Sequence, residues 1–88
     1  MVDVPTKKKA TPEEIERAKK WNVWEKEEST FDWYYDTEET FYVVEGEATV
    51  TWDGGEISFG PGDLVTFPAG LSCTWHIKKR IRKYYTFK

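Results

Sequence analysis

The sequence predicts a single all-β domain, a small antiparallel barrel preceded by one short helix. Three observations carry that expectation. From Trp21 onward the chain is a succession of short segments rich in aromatic and β-branched residues, separated by Gly, Pro and Asp. Only the stretch beginning at Thr11 carries the signals of a helix start. An 88-residue chain of this pattern leaves no room for the crossover helices of a parallel sheet.

Residues 1–10 are expected as an extended N-terminal arm, because Met1 to Lys9 shows no periodicity and ends in a cluster of lysines. Residues 11–88 form the folded domain. Thr11-Pro12-Glu13-Glu14 reads as an N-cap, a proline at the first helical position and a capping box closed by Glu14. A helix of about two or three turns follows. Glu13 with Arg17 and Glu16 with Lys20 stand four apart, and Ile15 and Ala18 make a narrow apolar edge for packing on the outside of the barrel. Eight strands are predicted: 21–24, 30–35, 40–45, 48–52, 56–59, 64–67, 71–77 and 80–87. Asp53-Gly54-Gly55 predicts a type I′ hairpin, and Gly60-Pro61-Gly62-Asp63 an obligatory reversal. Gly46 and Gly62 are both expected at strand reversals, where a positive φ is cheap for glycine alone.

The core must be made of rings. Aromatic residues are 17% of the chain (five Trp, five Tyr, five Phe), although mean hydropathy is only -0.72. Each buried ring removes roughly 150–250 Å² from water, so a subset of them suffices to stabilise a barrel. The net charge of -3 argues against nucleic acid as a partner. Six of the thirteen basic residues lie from Lys78 onward. Lys78 to Lys83 reads either as an anion-binding patch or as a solvated, edge-protecting face. The single cysteine, Cys73, cannot form an intramolecular disulfide. No apolar run approaches the roughly 20 residues that cross a bilayer, and the N-terminus lacks the apolar stretch of a signal peptide. A cytoplasmic protein without membrane contact is expected.

Two motifs carry a resemblance to a known family. Glu39-Thr40-Phe41-Tyr42-Val43-Val44-Glu45-Gly46 and Gly62-Asp63-Leu64-Val65-Thr66-Phe67-Pro68-Ala69-Gly70 resemble the two halves of the cupin signature, G-x5-H-x-H-x3,4-E-x6-G and G-x5-P-x-G-x2-H-x3-N. Glu39 and Gly46 have the first motif's spacing, and Gly62, Pro68 and Gly70 match the second. Fifteen residues separate Gly46 from Gly62, the compact spacing of small bacterial cupins. The resemblance implies a double-stranded β-helix, or jelly-roll barrel, over roughly residues 30 to 77. Phe31 to Asp36, with Leu71-Ser72-Cys73-Thr74-Trp75, further resembles the small cupins grouped with the (S)-ureidoglycine aminohydrolase cupin domain, a manganese-dependent family of purine breakdown.

The ligand positions of that signature are changed here. Its histidines fall at Trp33, Tyr35 and Cys73, its asparagine at Ile77 and its opening glycine at Glu27, so only Glu39 is the expected type of ligand. Trp33 offers an N–H donor and cannot ligate. No metal cofactor is therefore expected. If a divalent metal such as Mn or Zn bound, Tyr35, Glu39 and Cys73 would be its donors.

Trp33, Tyr35, Glu39, Cys73 and Trp75, with Phe41 and Tyr85 behind them, are expected to converge on the barrel mouth as the candidate ligand site. Two readings of these rings stay open: they fill the barrel, or they line a pocket for a small molecule. Glu39 favours the pocket, because a carboxylate among rings needs a partner. A guest amine, guanidinium or ureido group could supply it, with Trp33 and Trp75 as cation–π faces. Strand alternation sends Cys73, Trp75 and Ile77 inward and His76 outward, so His76 stays outside the site. Cys73 is expected to be a protonated, sluggish thiol. Three functions follow: a metal-free binding module for a small polar or cationic organic molecule, a metal-dependent hydrolase or isomerase, or an interaction protein that forms a homodimer through the outer face of Tyr42, Val44 and Trp52.

Overall fold

The computed structural model describes residues 4–87; Met1, Val2 and Asp3 of the expected arm, and Lys88, lie outside the described residues. Among the described residues there are seven strands and one helix: β1 (Thr6–Lys9), α1 (Pro12–Ala18), β2 (Asn22–Lys26), β3 (Ser29–Tyr34), β4 (Glu39–Trp52), β5 (Gly55–Phe59), β6 (Asp63–Phe67) and β7 (Ser72–Phe87). Every pairing is antiparallel. Two long strands, β4 and β7, run side by side through the whole molecule and take two short strands each. On its free side β4 carries β6 along Glu39–Tyr42 and β5 along Ala48–Trp52. β7 carries β3 along its first half and β2 along its second. β1 completes the order β1-β6-β4-β7-β2. Each half of the β4–β7 pair is thus the centre of its own layer, and the layers face one another: Phe41 and Phe67 of one pack on Trp75 and Phe59 of the other at centroid distances of 5.2–6.3 Å. This is the jelly-roll barrel the sequence predicts.

Two pairs of predicted strands, 40–45 with 48–52 and 71–77 with 80–87, are continuous as β4 and β7. Gly46 is accordingly not a reversal. It sits in a run of bulges where the β4–β7 register shifts three times between Val43 and Ala48. Its φ is +94°, and a Cβ there would lie 2.2 Å from the Arg80 carbonyl oxygen, so the close approach of β7 demands glycine. The bulges also change the phase of β4. Glu39, Phe41 and Val43 point inward before them; Ala48 and Val50 are buried after them, and Trp52 packs on the same core. Trp52 therefore leaves the outer face that a dimer was expected to use, while Tyr42 on that face stacks on Tyr84 at 6.4 Å.

At the hairpin after β4 only Gly54 takes a positive φ, +125°, and no non-glycine residue among those described does so. A type I′ turn needs two such residues, so Asp53-Gly54 adopts a different turn. The capping box forms as expected, with Thr11 Oγ1 accepting from the Glu14 N–H and Glu14 Oε1 from the Thr11 N–H. α1 buries Ala18 and packs on β4. Glu16 pairs with Lys19 at 3.1 Å instead of Lys20, and Glu14 with Lys8 at 3.2 Å. Thr6–Lys9 of the arm is extended and paired with β6 as an edge strand.

Candidate functional site

A cavity of about 310 Å³ opens at the end of the barrel where β2, β3, the start of β4 and the end of β7 meet. Its walls are aromatic: Trp24 from β2, Phe31 and Trp33 from β3, Trp75 and Tyr85 from β7. Trp33 and Phe87 are about half exposed and form the rim. Phe31 and Trp75 stack at 6.1 Å, with the edge of Trp24 against Trp75 at 6.1 Å. Three polar side chains reach this surface: Tyr35, Glu39 and Lys83.

Alternation and register bring them there. Glu39, Phe41 and Val43 face inward on β4; opposite them on β7 stand Phe87, Tyr85 and Lys83. The Lys83 Nζ meets Glu39 Oε2 at 2.7 Å, passing 4.0 Å from the centroid of Phe41, the inward residue between Glu39 and Val43. The ammonium also lies 4.8 Å from the ring of Trp75, 5.0 Å from Trp24 and 5.8 Å from Tyr85. Glu39 takes one of its three donors, and the rings supply negative π-faces around the rest. Burial among those rings pulls the Lys83 ammonium below the usual lysine range, and the Glu39 carboxylate opposes that pull.

Tyr35 is fixed from two sides. Its backbone N–H donates to Leu71 O at 2.9 Å and its carbonyl accepts from Gly70 N–H at 2.6 Å, which ties it to the Pro68-Ala69-Gly70 turn. Its ring stacks on Phe67 at 4.8 Å, and its hydroxyl accepts from the indole N–H of Trp75 at 3.2 Å. Burial, and then the charge of Glu39, push the phenol well above its ordinary range. Tyr35 is therefore a neutral group whose own O–H remains for a further acceptor.

The structure brings together Trp33, Tyr35, Glu39 and Trp75 of the six residues singled out in the sequence. Phe41 forms the floor beneath Lys83 rather than the wall. Cys73 stands apart from this cavity: its Sγ donates to the Trp33 carbonyl at 3.5 Å, and it borders a separate, shallow groove with Asp32, Thr51, Asp53 and Thr74. Burial, and then the nearby Asp32 carboxylate, push its thiol up to about 11. His76 lies outside the barrel, with its ring nitrogens 3.5 Å from Thr30 Oγ1 and 3.4 Å from Thr51 Oγ1.

The principal residue that sequence reasoning missed is Lys83, grouped there with the solvated basic segment. Lys79 and Arg80 behave as that reading expects, in exposed pairs with Glu47 at 3.1 Å and Glu25 at 2.8 Å. Lys83 does not. Its signal was the same alternation that placed Trp75 inward, continued through Ile81, Lys83 and Tyr85. Trp24, Phe31 and Phe87 were likewise readable as inward or rim positions only once their pairing with β7 was known.

The residues present do not fit the metal that the cupin signature carries elsewhere. Cys73 is outside the cavity, Trp33 has no lone pair to give, and the Glu39 carboxylate is held by an ammonium that repels a cation. Among the described residues no three His, Cys, Asp or Glu side chains are grouped as a metal site.

A jelly roll of two facing layers around an aromatic mouth, with both signature motifs on β4 and β6, defines a cupin domain. Within that class the chain belongs to the EutQ-like cupin domain family, whose model matches residues 13–85. Its structure is similar to that of a DUF861 family protein from Thermotoga maritima, with 46% identity and a TM-score of 0.91 over 96% of this chain and 99% of that one. It is also similar to the acetate kinase EutQ of Clostridioides difficile, at 32% identity over 61 residues, 69% of this chain and 39% of that protein. The solved structure of that organism's EutQ has a TM-score of 0.69 and 29% identity over 74% of this chain and 52% of that one. The chain thus spans about two fifths of the curated relative it matches. No described helix is long and apolar enough to cross a membrane.

Proposed function

We propose that this cupin is a metal-free binding module whose mouth takes a small polar organic molecule with an apolar or aromatic body and a hydrogen-bond acceptor. The observation that carries this reading is the buried Lys83–Glu39 pair set in the wall of an otherwise aromatic cavity. A barrel packed solid would have no use for two charges, whose removal from water costs several kcal/mol per ion. The polarity expected of the guest changes with the structure. Glu39 already has its cation, so a cationic guest would have to displace Lys83. The donors facing the cavity, the Lys83 ammonium and the Tyr35 hydroxyl, suit a carbonyl, amide or carboxylate instead.

Tryptophan fluorescence titrated with benzamide, benzoate and benzylamine tests this. Saturable quenching by benzamide or benzoate, weaker with benzylamine and lost in Lys83→Met, is expected. Absence of saturation with all three probes at millimolar concentration would remove the reading.

The metal-dependent alternative, a hydrolase or isomerase akin to ureidoglycine aminohydrolase, finds less support in this chain, because it would require donors that the mouth does not gather.

A further inference from the structure

We propose that Lys83 is a carbonyl-reactive amine, which condenses with a small aldehyde in the mouth to form a Schiff base balanced by Glu39. The inference rests on the reading of the mouth as a ligand site, and it names the chemical class of guest that the site would hold covalently. Three features of the geometry point to it. Among the described residues lining the cavity Lys83 is the one amine, and its side chain is only 6% exposed. The carboxylate that could take its proton is already in hydrogen-bond contact at 2.7 Å. The surrounding rings of Trp24, Trp75 and Tyr85 exclude water, which favours a condensation that releases it. Desolvation of the ammonium acts in the same direction, because it favours the neutral, nucleophilic amine.

The steps balance without any oxidant or reductant. The Lys83 ammonium passes a proton to Glu39, leaving an amine beside a carboxylic acid. Nζ adds to the aldehyde carbon, forming the N–C bond as the carbonyl π pair moves to oxygen. That oxygen takes the proton from Glu39, and the nitrogen returns one, giving a neutral carbinolamine beside protonated Glu39. Glu39 then protonates the hydroxyl; water leaves as the nitrogen lone pair forms the C=N bond. The product is an iminium paired with the Glu39 carboxylate, with the charges of the starting ion pair. The Tyr35 O–H, held by Trp75, is the donor available to polarise the incoming carbonyl.

The experiment uses the intact chain with benzaldehyde and cyanoborohydride, which reduces an iminium to a stable N-benzyl amine. The ten lysines are then compared by peptide mapping at low conversion. Lys83 is expected to label about tenfold faster than the mean of the other lysines, as a desolvated amine poised beside a base should. Excess benzamide should protect Lys83 and leave the others unchanged. Labelling spread over the surface lysines with no preference for Lys83 overturns the proposal. If Lys83 fails to label while benzamide still quenches tryptophan fluorescence saturably, the Schiff base is wrong and the binding site stands. If benzamide shows no saturation either, both readings fall. Mapping of the wild-type chain carries the test alone, and Lys83→Arg, where it folds, should show no added mass at that peptide.

Discussion

The Lys83 ammonium stands 2.7 Å from the Glu39 carboxylate with both side chains nearly sealed from solvent, at 6% and 5% exposure. Each charge is the other's compensation for lost hydration. In the low-dielectric interior, two charges brought together roughly offset their desolvation, whereas one left alone does not. The pair is therefore best understood through the asymmetry between removing one partner and removing both.

Lys83→Met or Glu39→Gln alone should each lower the unfolding free energy in urea, by about 3 kcal/mol for Lys83→Met, which strands a carboxylate among rings. Glu39→Gln should cost less, because the π-faces of Phe41, Trp75 and Trp24 that disfavour a stranded carboxylate favour a stranded ammonium. The double variant Lys83→Met with Glu39→Leu should return to within about 1 kcal/mol of the parent, since an apolar pair of similar volume suits these walls. Losses that simply add in the double variant would mean that the two residues are not coupled.

Two glycines separate close approach from backbone strain. Gly46 and Gly70 both have positive φ, +94° and +88°. At Gly46 an added Cβ meets the Arg80 carbonyl oxygen at 2.2 Å; at Gly70 it meets nothing within 4 Å. Gly70→Ala should cost about 1–2 kcal/mol, the left-handed penalty alone. Gly46→Ala must also push β7 away from the bulge and should cost clearly more, read as a larger drop in urea midpoint. Equal losses would place the whole requirement in φ and none in the packing of the two long strands.

Cys73 offers a pH-dependent readout. Its thiol titrates at about 11 in the folded chain, against an ordinary value of 9.0. Between those values the folded state holds a proton that the unfolded state has released, so stability falls as pH rises through the window. Iodoacetamide should alkylate native Cys73 much more slowly at pH 8 than the urea-unfolded chain, and the native rate should keep rising to about pH 11. A native rate that levels off near pH 9 would refute the raised value. Cys73→Ala should flatten the loss of stability over pH 9 to 11.

The legible parts of this fold are those decided locally. Thr11-Pro12-Glu13-Glu14 is a capping box wherever it occurs, because all its partners lie within one turn. Gly62 and Pro68-Ala69-Gly70 likewise mark turns through their own backbone preferences. What eluded local reading is decided across strands. The bulges around Gly46 exist because Arg80 of β7 comes close behind, and they turn Trp52 inward after a run in which Tyr42 and Val44 faced out. Lys83 was hidden by its neighbours: three basic residues at 78–80 and Arg82 give the segment a solvated character, while Ile81 and Tyr85 carry the inward phase. Composition outweighed period there, and period was the better guide. The carboxylate of Glu39 did announce a missing cation, but only the β4–β7 register shows that the chain provides it.

Trp33 and Trp75 make the last separation, between rings that hold the barrel and rings that meet a guest. Trp75 is buried, stacks on Phe67 at 5.9 Å and donates to Tyr35, so Trp75→Ala should cost about 3–5 kcal/mol and blur any effect on binding. Trp33 is 49% exposed at the rim, with the edge-on ring of Tyr35 6.5 Å away. Trp33→Ala should therefore change stability by no more than about 1 kcal/mol. If the mouth is a binding site, that same change removes one wall over the guest and should weaken benzamide binding several-fold, measured by calorimetry so that the loss of a fluorophore does not matter. Unchanged affinity in a well-folded Trp33→Ala protein would move the guest away from the rim and deeper toward Lys83.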